Sequence, residues 1–137
     1  MLEPNMITCG QCLCGAVEYS VSGEPNWSSH CHCNTCRQIS GAAVATFVSF
    51  PISGFTLTKG QLCDYPSSPG VTRSFCGNCG SPIVYRSDAV PLEAQLALGS
   101  LKNPEDFPAQ LQVFCAEKLP WVSIDNHIPK FDGLPDV

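Results

Sequence analysis

Positive charge is what this chain has least of. Lysine and arginine together number seven in 137 residues against twelve Asp and Glu, giving a net charge of −5. The seven are scattered, with no stripe able to neutralise phosphates, so non-specific nucleic-acid binding is disfavoured. Charge of either sign is scarce, at 14% where about 25% is usual. Long apolar runs are missing too: nothing approaches the roughly 20 residues of a membrane-spanning helix. The opening Met1-Leu2-Glu3-Pro4-Asn5-Met6-Ile7-Thr8 has neither the basic start nor the apolar stretch of a signal peptide. The expectation is therefore a cytoplasmic protein, in a reducing compartment where thiols stay free. Repeats, linkers and low-complexity tracts are lacking as well, so residues 1–137 are expected to form a single domain with one core.

What is present is punctuation and sulfur. Twelve prolines and eleven glycines break the chain into pieces that suit short strands better than long helices. Residues 16–21 alternate, with Val17, Tyr19 and Val21 on one face and Glu18 and Ser20 on the other, as a half-buried strand does. Ala42 to Phe50 reads as a buried strand, Phe55 to Gly60 as an alternating one, and Leu62 to Tyr65 as its continuation before a Pro66-to-Gly70 loop. Val71–Phe75 and Ile83–Arg86 flank Cys76-Gly77-Asn78-Cys79 like the arms of a hairpin. Leu92, Ala94, Leu96 and Leu98 alternate inward, and residues 111–114 and 121–124 suggest late strands. One or two helical turns are expected from Asn34 to Ser40, ended by Gly41. The fold class is all-β.

Seven of the ten cysteines fall into three clusters: Cys12-x-Cys14, Cys31-His32-Cys33-x-x-Cys36, and Cys76-x-x-Cys79 followed by Gly80. Such close spacing aims several thiolates at one point about 2.3 Å from each sulfur, as zinc requires. A disulfide framework is the rival reading, and it belongs to exported domains. The economical partition pairs Cys12 and Cys14 with Cys76 and Cys79 as a closed, structural four-thiolate site. Cys31, Cys33 and Cys36 then hold a second zinc with one position to spare, the usual arrangement of a catalytic metal. That position is either open or closed by His30, His32, Cys63, Cys115 or His127. Cys9, Cys63 and Cys115 stand alone and read as small buried hydrophobes. His32, between two ligands of an extended segment, would point away from them.

The same residues resemble a known family. Gly10-x-Cys12-x-Cys14-Gly15-x-Val17-x-Tyr19, Cys31-His32-Cys33-x-x-Cys36-Arg37 and Arg73-x-Phe75-Cys76-x-x-Cys79-Gly80-Ser81 are similar to the glutathione-dependent formaldehyde-activating enzymes and their centromere-protein-V-like relatives. Gly60-x-Leu62, Gly99-Ser100-Leu101 and the stretch from Lys118-x-Pro120-Trp121 to Pro129-x-Phe131 extend the likeness. The resemblance implies a mainly antiparallel β-tent fold with two zinc ions partitioned as above. It also implies a carbon–sulfur lyase-type activity, the condensation of glutathione with formaldehyde to S-(hydroxymethyl)glutathione. The chain departs from the pattern at Gln112-Val113-Phe114, where the family often has His-Ile-Phe, and at Asn126-His127-Ile128-Pro129.

Two functions of different class follow. In the first, the second zinc activates a small thiol such as glutathione, and Arg37, adjacent to Cys36, clamps one of its carboxylates; Arg73 is a second candidate clamp. In the second, the protein is a non-catalytic zinc-stapled module that binds a thiol or another protein.

Overall fold

The computed structural model describes residues 6–135. Ten strands and one short α-helix follow in order: β1 Ile7–Gln11, β2 Glu18–Ser22, β3 Trp27–Cys31, α1 Asn34–Ser40, β4 Ala45–Pro51, β5 Phe55–Lys59, β6 Leu62–Ser68, β7 Val71–Cys76, β8 Pro82–Ser87, β9 Glu93–Ala97 and β10 Leu111–Val113. The strands form a three-stranded sheet, β1-β2-β5, and a seven-stranded sheet, β10-β3-β4-β9-β8-β7-β6. Every named pair is antiparallel except β10 on β3. The all-β expectation therefore holds.

Strand alternation sorts the interior into two compartments. Tyr19 and Val21 of β2 pack with Val48 and Phe50 of β4, Ile83 of β8 and Leu96 of β9 in the main core. Ala45 and Phe47, of opposite parity on β4, turn to the other face and pack with Cys31, Cys36 and Val113. Period-two geometry makes this division: the apolar run 42–50 serves both faces, which is why it lacks polar alternation.

Helix α1 is capped at both ends by its own sequence. Cys33 is the N-cap, its sulfur accepting from the Cys36 N–H at 3.2 Å. Gly41 closes the helix in the left-handed region at φ 70°, its N–H bonded to the Arg37 carbonyl.

Three expectations need correction. Residues 121–124 form no strand: the Val122 N–H bonds to the Leu119 carbonyl, and the Ile124 carbonyl accepts from the Gln112 side chain at 2.7 Å. These local and side-chain partners replace a ladder. Strand β6 does not stop at Pro66 but pairs with β7 as far as Ser68, with a register shift between Pro66 and Ser68. It is the outermost strand of its sheet, where a residue without an N–H is tolerated. Leu92 lies just before β9 and is 77% exposed, whereas Ala94 and Leu96 are fully buried. Strands β1 and β3, too polar to stand out by pattern, are further elements.

Candidate metal centres

Two hairpin turns converge to make the first cluster. Cys12 and Cys14 sit in the turn between β1 and β2, held by the Cys12 N–H to the Val17 carbonyl and the Gly15 N–H to the Cys12 carbonyl. Cys76 ends β7, and the Gly80 N–H returns to its carbonyl at 2.8 Å; Gly80 takes φ 82° to close that knuckle. The two turns are tied across the gap, since the Leu13 N–H donates to Ser81 Oγ at 3.0 Å.

The four sulfurs of Cys12, Cys14, Cys76 and Cys79 lie within 4.8 Å of one another. Cys12 to Cys14 is 3.7 Å and Cys14 to Cys76 is 3.8 Å. A tetrahedron with bonds of about 2.3 Å has edges of about 3.8 Å, so the spacing fits a tetrahedral ion such as zinc. Donors also face the sulfurs. The Val17 N–H reaches Cys12 Sγ at 3.2 Å, Asn78 Nδ2 reaches Cys14 Sγ at 3.2 Å, and the Asn78 and Cys79 N–H groups reach Cys76 Sγ at 3.4 Å. Donors aimed at sulfur favour thiolate over thiol. The Cys79 thiol is lowered to about 5, first by the Ser81 hydroxyl 3.2 Å away.

The second cluster joins the end of β3 to α1. Cys31, Cys33 and Cys36 again place their sulfurs within 4.8 Å, and Cys31 to Cys36 is 3.3 Å. The Cys33 thiol is pulled well below the usual range, chiefly by hydrogen bonds from the Cys31 and Cys36 thiols, then by the Cys36 N–H and the charge of Arg73. Cys31 is pushed up, first by its contacts with Cys33 and Cys36. Arg73 on β7 is the cation beside this cluster: Nη2 is 3.8 Å from Cys36 Sγ, Nε donates to Ser67 Oγ, and the guanidinium lies 4.9 Å from the Tyr85 ring centroid.

Among the described residues no histidine, carboxylate or further cysteine joins either set of sulfurs. His30 and His32 have other partners. His30 is bonded to Thr46 Oγ1 and Asp125 Oδ2, each at 2.7 Å. His32 is fully buried and faces Gln112 Oε1 at 2.6 Å. His127 is an exposed turn residue. Cys9 and Cys63 are exposed and Cys115 is half-buried, contrary to the expectation of buried hydrophobes.

Arg37 and Gln112 both brace the frame around the second cluster. Arg37 Nη1 donates to the His32 carbonyl at 2.5 Å and the Glu117 carbonyl at 2.7 Å, while Glu117 Oε1 accepts from the Asn34 N–H. Gln112 is buried; its amide nitrogen donates to the Ile124 and Asp125 carbonyls while its oxygen holds His32. Gln112 thus ties β10 to the His32 ring and to the 124–125 segment.

A cavity of about 950 Å³ opens beside these centres. Its wall includes Cys12, Ser81, Ile39, Phe47, Tyr85 and Arg73. None of the three sulfurs of the second cluster lines it; Arg73 touches both the cavity and Cys36 Sγ. Sequence reasoning missed Tyr85 and Lys102 as cavity residues because neither adjoins a cysteine in the chain.

With this geometry in place, comparison with known proteins defines the class. The profile of the glutathione-dependent formaldehyde-activating enzymes matches residues 7–117. The chain belongs to that family. An uncharacterized lyase of Schizosaccharomyces pombe is 31% identical over 83 residues, covering 56% of this chain and 55% of the relative. The chain thus matches about half the length of that curated relative. The crystal structure of a Rhodobacter sphaeroides protein, a structural-genomics target, superposes with a TM-score of 0.58 at 21% identity, covering 90% of this chain and 98% of the other. At that identity it supports the fold alone.

Proposed function

We propose that the protein binds two zinc ions, and that the one held by Cys31, Cys33 and Cys36 receives the thiol of glutathione for condensation with formaldehyde. The observation that carries this reading is the difference between the two clusters: four sulfurs in the first, three in the second, with no further protein ligand in reach among the described residues. Four sulfurs complete a tetrahedral shell and staple the β1–β2 turn to the β7–β8 turn. Three leave one position for substrate. Zinc, when bound, lowers the proton affinity of a thiol that reaches it.

The chain's own residues supply the rest. Arg73 places a guanidinium near the sulfurs, where it offsets their negative charge and presents donors to a substrate carboxylate. Arg37, engaged with two carbonyls, fixes the His32–Asn34 segment that carries Cys33; it acts by position. Phe47 and Phe114 pack against the buried cluster that holds Cys31 and Cys36 and limit water there. The net reaction is balanced without an oxidant: the S–H adds across the carbonyl, an S–C bond forms, and the thiol proton ends on the carbonyl oxygen. This is the carbon–sulfur lyase reaction in its synthetic direction.

Exchange spectroscopy by nuclear magnetic resonance on ¹³C-formaldehyde and glutathione tests the proposal. The zinc-loaded protein should raise the rate of adduct formation above the spontaneous rate, and Cys36→Ser should abolish the increase. Thiol binding without acceleration would instead favour the non-catalytic, thiol-carrying module.

A further inference from the structure

The cavity is much larger than formaldehyde requires. At about 950 Å³ it stands at the upper end of the range of about 300–1,000 Å³ that holds drug-sized ligands, whereas formaldehyde has one carbon. Its wall is mainly apolar, with Ile39, Val44, Phe47, Val84 and Leu98 among its residues. Apart from the Cys12 thiol at one part of the wall, its charged side chains among the described residues are Arg73 and Lys102, and no Asp or Glu lines it, in a chain where acids outnumber bases twelve to seven. An acidic protein that keeps its acids out of one cavity selects an anion there.

We propose that this cavity binds the glutathione adduct of an aldehyde bearing an apolar chain or ring, with Arg73 and Lys102 facing the two carboxylates and the apolar wall covering the aldehyde's tail. The inference rests on the glutathione reading above and extends the carbonyl substrate beyond formaldehyde. The tripeptide alone, with its carboxylates and ammonium group, leaves such a wall unmatched. An alkyl or aryl substituent on its sulfur matches it. Arg73 borders both the cavity and the second cluster.

Calorimetry on the zinc-loaded full chain with glutathione, S-methylglutathione and S-hexylglutathione tests this. The two S-alkyl conjugates mimic the thioether of the adduct and differ only in apolar length. The hexyl conjugate should bind about tenfold tighter or more than the methyl one, because five further methylenes, even partly buried, exceed the ~1.4 kcal/mol of a tenfold ratio. Ile39→Asn changes a residue 40% exposed, so folding should survive, and it adds no charge to compete with the carboxylates. It should remove most of the hexyl preference by lowering hexyl-conjugate affinity far more than methyl-conjugate affinity. Glutathione binding with equal affinity for the methyl and hexyl conjugates overturns the apolar subsite alone. Failure of all three to bind overturns both this inference and the glutathione reading.

Discussion

Arg73 and Cys36 stand 37 residues apart in the chain, yet Arg73 Nη2 lies 3.8 Å from Cys36 Sγ. β7 carries the arginine and α1 the thiol. The guanidinium is oriented by Ser67 Oγ and by the Tyr85 ring. A fixed cation beside three clustered sulfurs, on the wall of a cavity that no Asp or Glu of the described residues lines, is the feature that turns a metal-binding motif into a candidate thiol site.

Arg73→Ala should therefore weaken glutathione binding by about 1.5–3 kcal/mol, the cost of losing a charge-assisted hydrogen bond, with little change in thermal stability. Arg37→Ala should do the reverse, because its partners are the His32 and Glu117 carbonyls. Paired calorimetric titrations and melting curves of the two variants decide the assignment. A larger affinity loss in Arg37→Ala would return the clamp to Arg37.

The clusters should differ in what they do for folding. Cys76→Ser removes one of four sulfurs that join two hairpin turns, and binding free energy at a structural site is folding free energy. It should unfold or strongly destabilise the protein. Cys36→Ser should leave a folded chain with one tightly held metal. Equal losses of melting temperature would mean that both clusters are structural.

Gly10→Ala should destabilise the main core although it adds a single methyl. A Cβ there would lie 2.3 Å from Tyr19 Cζ and 2.7 Å from the Ser100 carbonyl oxygen. Tyr19 is buried and bonded to Ser100 Oγ at 2.6 Å, so it has nowhere to retreat. Overpacking of this kind costs about 1–3 kcal/mol, measurable by chemical denaturation.

Tyr19 also sets an alkaline limit. Burial, its largest influence, raises its phenol from 10 to about 12. The raised value means that the folded state holds the proton more tightly than the unfolded chain. Its contribution is complete below pH 10 and is lost as pH rises through about 12. Phenolate absorbance followed alongside denaturation should show one tyrosine ionising late, with stability falling across that window.

The sequence made the metal chemistry legible because short-range spacing encodes it: C-x-C and C-x-x-C dictate converging sulfurs before any tertiary contact is known. The strands at 18–22, 45–51, 55–59, 71–76 and 82–87 were legible for a similar reason, since burial on one or two faces leaves a period or a run. Residues 121–124 looked like a strand by composition, but a strand also needs a partner edge, and here Gln112 takes a carbonyl instead. Arg73 could be named from its place before Cys76, but not its contact with Cys36, which depends on how β7 lies relative to α1. Lys102 left no local trace, because cavities are assembled from distant segments.

The central claim is that the Cys31, Cys33 and Cys36 centre keeps a position for an external thiol. The most direct measurement is the optical spectrum of the cobalt-substituted protein, in which each sulfur bound to the metal adds to the thiolate charge-transfer absorption. Added glutathione should increase that absorption in the native sequence and leave Cys36→Ser unchanged. A spectrum unmoved by glutathione at millimolar concentration, with cobalt present at both centres, would contradict the account.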